Sequence, residues 1–315
     1  MTSTLLPRTE TESRAARKPV KQALDWAILQ TVAYADIFHY PLTAAEVHRY
    51  LVSLDAPLDT VEKVLGNGRL IPRALSRFEE FFTLPGREEV VETRRRRAEV
   101  AAGLWPRAVR YGQIIGNLPF VRMVAVTGAL AVDNVEPEAD IDYLVVTEPG
   151  RLWLCRALTI AVVRMAARRG DPLCPNYFLS ERALVFSERN LFTAHEVAQM
   201  VPVTGHETYQ AIRRLNGWTA EYLPNAEGPP RVMKGHTSRK RAATSATEAA
   251  LRTGVGGRLE AWEMRRKVRK LHGHRPGAPE AAFSPDWCKG HFEGHGHRAL
   301  AAFDERLRAL EEIAG

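Results

Sequence analysis

The stretch Val124-Ala-Val-Thr-Gly-Ala-Leu-Ala-Val-Asp-Asn-Val-Glu-Pro-Glu-Ala-Asp-Ile-Asp-Tyr-Leu-Val-Val146 decides how this chain is read. It opens inside an apolar run, Val121 to Val126, of the length of a buried strand. Thr127-Gly128 turns the chain and an acidic loop follows. A second apolar run, Ile141 to Val146, is bounded by Thr147 and Pro149-Gly150. Asp140 and Asp142 flank Ile141. On a strand, side chains at i and i+2 share a face, so the two carboxylates would project together. Carboxylates held side by side repel, and a cation offsets the repulsion. Mg²⁺ suits the pair, because it takes hard oxygen ligands, commonly one or two carboxylates plus substrate phosphates. Gly128 has no Cβ, so backbone N–H groups there can approach a phosphate closely. The plainer alternative is a strand edge with two solvent-facing aspartates and an ordinary turn glycine.

Working outward, Leu152 to Arg169 predicts a long helix with Leu154, Leu158, Ala161, Val162 and Met165 as its apolar positions. Asn176 to Leu179 and Leu184 to Phe186 are further strand candidates. Thr193 is a candidate cap for a helix containing Val197 and Met200. Tyr209, Ile212, Leu215 and Trp218 mark an inward stripe on a helix from about Glu207 to Tyr222. Strands alternating with helices make the core α+β or α/β, with α+β the expected class.

Upstream, Leu24, Ile28, Val32 and Ala35 recur at helical spacing over roughly 21–37. Thr43 with Glu46 forms a capping box. Asp59 is placed to cap a third helix through Val61, Val64 and Leu65. Phe78 to Leu84 reads as a strand, with Ile71 to Leu75 as its partner. Three helices and a hairpin give the order of a winged helix, which could contact DNA through its third helix. Lys63 and Arg69 there stand against Asp59 and Glu62, so packing or protein contact is the stronger expectation. Glu88 to about Ile115 is a helix carrying Arg94-Arg95-Arg96-Arg97, and Pro106 should kink or divide it.

The central arrangement resembles the DNA polymerase β-like nucleotidyltransferase superfamily. Its signature is a Gly-Ser turn, a loop of roughly ten residues, and Asp-hydrophobic-Asp on a strand; here Gly128-Ala129 and Asp140-Ile141-Asp142 match. The resemblance covers roughly 110–190. It extends to bacterial proteins of uncharacterised role with stretches like Thr31-Val-Ala-Tyr-Ala-Asp-Ile-Phe-His-Tyr-Pro-Leu-Thr43, Asn176-Tyr-Phe-Leu-Ser180 and Leu223-Pro-Asn225. It implies a small mixed sheet flanked by helices, and NMP transfer from an NTP with Mg²⁺ on Asp140 and Asp142. It places phosphate binding at Thr127, Gly128 and Ala129. Two departures stand out. The family's serine is Ala129, and its third carboxylate, on a later strand, has no Asp in Asn176–Leu179. Asn176 is a candidate for that position, with Glu181 and Asp171 as neighbouring candidates. A neutral Asn cannot take a proton, so a catalytically degenerate nucleotide sensor or scaffold is the alternative.

The expected organisation is a tail (1–18), a winged-helix-like unit (19–87), a nucleotidyltransferase-like unit (88–225), a linker (226–250) and a basic helical C-terminal region (251–315). Hydrophobic residues make up 45% and charged residues 26%, which excludes wholesale disorder. The longest apolar segment, Leu152 to Ala167, is interrupted by Arg156 and Arg164, so no membrane partner is expected. The N-terminus has no apolar signal region. Cys155, Cys174 and Cys288 form no disulfide framework, which suits a cytoplasmic location. The net charge of +7 is concentrated in residues 231–275, where 13 Lys/Arg face three Glu. Such a segment suits an anionic partner, nucleic acid included, or is a solvated linker. Cys288, His291, His295 and His297 offer four potential zinc ligands within ten residues, yet without the usual separation of ligand pairs.

Overall fold

The computed structural model describes residues 20–233, 242–274, 282–289 and 294–314. The chain opens with α1 (Val20–Asp36), β1 (Leu42–Thr43), α2 (Ala44–Arg49) and α3 (Leu58–Gly66). A hairpin of β2 (Ser76–Phe78) and β3 (Phe81–Thr83) follows. The three strands form one antiparallel sheet in the order β1-β3-β2. Leu24, Ile28, Val32 and Ala35 are buried, as their spacing predicts. Thr43 and Glu46 close the capping box that starts α2. Three details differ from expectation. Residues 71–75 form no strand, and the predicted strand from Phe78 contains the bend of the hairpin, where Glu79 takes φ 55°. Pro57 rather than Asp59 stands at the cap of α3.

A long helix, α4 (Val90–Gly116), leads into the central sheet. Pro106 lies inside it without dividing it. The sheet contains β4 (Val121–Val126), β5 (Ile141–Thr147), β6 (Leu173–Ser180) and β7 (Val201–Thr204), with α5 (Gly128–Ala131), α6 (Leu152–Ala167) and α7 (Leu191–Gln199) between them. After β7 come α8 (His206–Leu215), α9 (Ala242–Leu251), α10 (Gly254–His274), β8 (Ala282–Phe283), β9 (Trp287–Lys289) and α11 (His295–Ala314). The strand order is β7-β4-β5-β6-β9-β8. Among the described residues only the β5–β6 pair of this sheet is parallel, joined by the crossover helix α6. The class is α+β with a mixed sheet.

Alternation along the strands sorts two cores. Met123, Ala125, Leu144 and Val146 join the cluster of α1, α2, α3, α7, α8 and α11. Val124, Val126, Tyr143 and Val145 join the opposite cluster with α4 and α6. On that second face α4 lies directly on β7. A Cβ added at Gly112 would come within 2.9 Å of Val203, and one at Gly116 within 2.6 Å of Thr204.

The expected strand at Leu184–Phe186 is irregular, and β7 takes its place in the sheet. Asn216 holds the irregular segment: its amide donates to Leu184 O at 2.7 Å and its Oδ1 accepts from Phe186 N at 2.8 Å. Asn190, not Thr193, caps α7. The C-terminal region is not purely helical. Its hairpin extends the central sheet through β6–β9 pairing, and α10 packs on α6. Glu260 of α10 accepts from the free N–H groups of Trp153 and Leu154 at 2.9 and 2.7 Å. Among the described residues no helix is long and apolar enough to cross a membrane.

Candidate functional site

A cavity of about 850 Å³ lies between the N-terminal unit and the end of the central sheet. Thr127, Gly128, Ala129, Asp140 and Asp142 all line it, so the structure brings together every residue the motif singles out. Asp142 is the second residue of β5, and Asp140 immediately precedes that strand. Gly128 starts α5 with φ +64°, so the expected tight turn is also the first residue of a short helical turn. A Cβ at Gly128 would lie 2.6 Å from Asp142 Oδ2. The glycine is therefore required twice, by its backbone conformation and by the carboxylate against it.

Asp142 is fixed from the neighbouring strand. Between Cys174 and Tyr177, β6 carries one more residue than β5 does opposite it. Pro175 falls in this bulge and has no N–H for the ladder. The adjacent Asn176 Nδ2 donates to Asp142 Oδ1 at 2.9 Å. The backbone O of Asp142 accepts from Thr127 N at 3.1 Å, which holds the turn against the strand.

The sequence left the third carboxylate open among Asn176, Glu181 and Asp171. Asn176 reaches the site, but Asp171 accepts from Tyr111 Oη at 2.6 Å and pairs with Arg107, and Glu181 faces Arg122. Neither acid lines the cavity. The carboxylate that does is Glu196, from α7. Its only sequence signal is a position beside Ala194, Val197 and Ala198 on a helix whose buried side faces the sheet. Burial pushes Glu196 up to about 6, with Lys289 pulling the other way. Burial raises Asp142 to about 7, with repulsion from Glu196 and then Asp140 adding to it. Among the described residues the wall holds no Lys or Arg beside these carboxylates. Cys174, opposite Asp142, is pushed up to about 12 by burial and by the charges of Asp142 and Asp140, so it stays a thiol.

Much of the remaining wall is aromatic. Tyr34, Phe38, Tyr40 and Tyr50 come from the N-terminal unit, and Phe192 from α7. Tyr40 Oη donates to Val132 O at 2.9 Å, which ties that unit to the segment behind Gly128. Arg94 braces this contact, stacking 3.9 Å from the Tyr40 ring centre and donating to Glu46 at 2.6 Å. Arg95 pairs with Glu79 and Arg97 donates to Phe38 O at 3.0 Å, so three of the four consecutive arginines bind the two units together.

His195 stacks on Tyr34 with ring centres 4.2 Å apart. Burial holds it at about 3, so it is neutral at pH 7. The Cys288 cluster does not assemble. Cys288 is buried in β9 opposite Phe178, His295 lines the cavity, and His297 is exposed. His291 lies outside the described residues. Among the described residues no group of three His, Cys, Asp or Glu side chains could hold a metal ion alone. Comparisons with protein-family models, curated proteins and solved structures return no match.

Proposed function

We propose that the chain is a nucleotidyltransferase moving an NMP from an NTP onto an acceptor hydroxyl. The carrying observation is the contact of the Gly128 backbone with the Asp142 carboxylate, beside Asp140, at a cavity of about 850 Å³. That volume falls in the range of small-molecule sites, ~300–1,000 Å³. The donor set fits Mg²⁺, which is commonly held by two carboxylates completed by substrate phosphates. Asp140 and Asp142 would hold it, and the ion would neutralise charge on the phosphates. Thr127, Gly128 and Ala129 bind phosphate through the turn, Asn176 fixes the orientation of Asp142, and the tyrosine-rich wall keeps water from the reacting atoms. The acceptor oxygen bonds to the α-phosphorus, the bond from that phosphorus to the bridging oxygen breaks, and pyrophosphate leaves. The hydroxyl proton passes to a carboxylate of the site.

The order of helices and strands in residues 20–83, with the sheet β1-β3-β2, supports reading this unit as a winged helix. The cations near its third helix are paired, Lys63 with Asp59 and Arg69 with Asp25. This favours protein contact over DNA. For nucleic acid the exposed Arg258, Arg265 and Arg269 of α10 are the better candidates, and they lie in the basic segment.

A second reading, a nucleotide sensor without turnover, is favoured by Ala129 and by the neutral Asn176 beside Asp142. Calorimetry with a Mg²⁺-loaded, non-hydrolysable NTP analogue tests the site on wild type and Asp140→Ala/Asp142→Ala. Equal affinity in both removes it. Incubation with each α-labelled NTP, Mg²⁺ and lysate separates transferase from sensor.

A further inference from the structure

Helix α10 carries two different faces. Inward, Met264 and Val268 pack on the second core, on the side of the sheet opposite α1, α2 and α3. Outward, Val255, Leu259 and Trp262 follow one another at i, i+4 and i+7 and are 62%, 42% and 55% exposed. The helix already has its apolar contact with the fold, and this outer row takes no part in it.

The adjoining row is basic. Arg258, Arg265 and Arg269 are exposed, and among the described residues none of them pairs with a carboxylate. Arg269 donates to Arg265 O at 3.2 Å. Arg266 lies 5.1 Å from the ring centre of Trp262 and pairs with Glu263. The acids of the helix are turned inward: Glu260 and Glu263 are 9% and 4% exposed, and Glu260 accepts from the start of α6. The outer face therefore combines an apolar stripe with net positive charge and no exposed acid of its own.

Phosphate attracts these arginines whether it belongs to a nucleic acid or to a lipid headgroup, and the apolar row separates the two. A nucleic acid offers Trp262 a base to stack on, but little to Val255 or Leu259. A bilayer surface offers acyl chains to both, a headgroup layer to the indole and phosphates to the guanidinium groups. We infer that α10 docks the protein on an anionic lipid surface. The helix lies in the plane of the surface, with Val255, Leu259 and Trp262 at the headgroup boundary and Arg258, Arg265 and Arg269 on the lipid phosphates. The contact is peripheral, since among the described residues no helix is long and apolar enough to cross a membrane. The inference stands apart from the transferase reading.

The test floats the full chain with vesicles of phosphatidylcholine, or of phosphatidylcholine and phosphatidylglycerol in equal parts, at one salt concentration. Three arginines should favour the anionic vesicles by roughly a hundredfold. Replacing all three, Arg258→Gln/Arg265→Gln/Arg269→Gln, should remove that preference. Leu259→Ser/Trp262→Ser keeps every charge and should weaken binding by about tenfold. Brominated lipid should quench the tryptophan fluorescence of wild type, and Trp262→Phe should still bind but lose most of the quenching. Wild type that ignores anionic vesicles overturns the inference. So does an undiminished serine pair, which would show that charge alone holds the protein near the surface, and so does quenching that survives Trp262→Phe. In place of vesicle binding, a gel shift of an oligonucleotide lost in the Gln variant gives the face to nucleic acid, and a dimer broken by the serine pair gives it to a second copy; either result overturns the inference.

Discussion

Gly128 and Asp142 leave no room for a side chain between them: an added Cβ would sit 2.6 Å from the Asp142 carboxylate oxygen. Gly128→Ala must also hold a non-glycine residue at φ +64°. Strain of this kind costs on the order of 1–3 kcal/mol. Part of it will be relieved by displacing Asp142. The variant should unfold at lower denaturant concentration than wild type and lose Mg·NTP affinity. Denaturation and calorimetry on the same protein check both, and unchanged affinity would mean that the turn does not face the nucleotide.

Asp142 opposes folding at high pH. Its carboxyl titrates at about 7 in the fold, raised first by burial and then by Glu196 and Asp140. In the unfolded chain it titrates near 4. The folded state therefore holds this proton more tightly, and the associated stability is lost as pH rises from about 4 through about 7. Asp142→Asn removes the charge, so the variant should exceed wild type by on the order of 2 kcal/mol at pH 8. The difference should vanish near pH 4. Urea titrations at both values read it, and the same variant should bind Mg·NTP poorly.

His195 acts with the opposite sign. Burial holds it at about 3, whereas the unfolded imidazole titrates near 6.5. Between these values the unfolded chain takes up a proton that the folded chain refuses, so this residue weakens the fold as pH falls. His195→Phe keeps a ring against Tyr34 without the titration. From pH 7 to pH 5 the variant should lose about 2 kcal/mol less than wild type. Equal losses would show that the imidazole can charge in place.

Glu260 joins the C-terminal region to the crossover helix by accepting from two N–H groups at the start of α6. Glu260→Gln keeps the shape but removes the charge and one acceptor. It should cost about 1–2 kcal/mol, the scale of a partly buried carboxylate at a helix N-terminus. Thermal melts report it, and no change would mean that solvent satisfies the end of α6.

The periodicities of the chain were enough to place α1, α4, β4, β5 and α6, because each is long relative to its pattern. Faces were less legible. For α6 the expected inward set included Met165, which is 48% exposed, while Trp153, Cys155 and Ala166 are buried. Apolar residues surround this helix, so local pattern does not choose a side; contact with α10 and the sheet does. Short strands gave weak signals. Leu184–Phe186 has the composition of a strand but is held irregular by Asn216, and Val201–Thr204 is only four residues long.

Sequence alone determined that Gly128, Asp140 and Asp142 would be neighbours. The link runs through one turn and two adjacent strands, so short-range geometry suffices. Glu196, His195 and the tyrosine wall were decided only by tertiary structure. They come from α1, the turn after it, the residue that ends α2, and α7, distant in the chain, and meet the Asp pair because both units bury their apolar faces on the same side of the sheet.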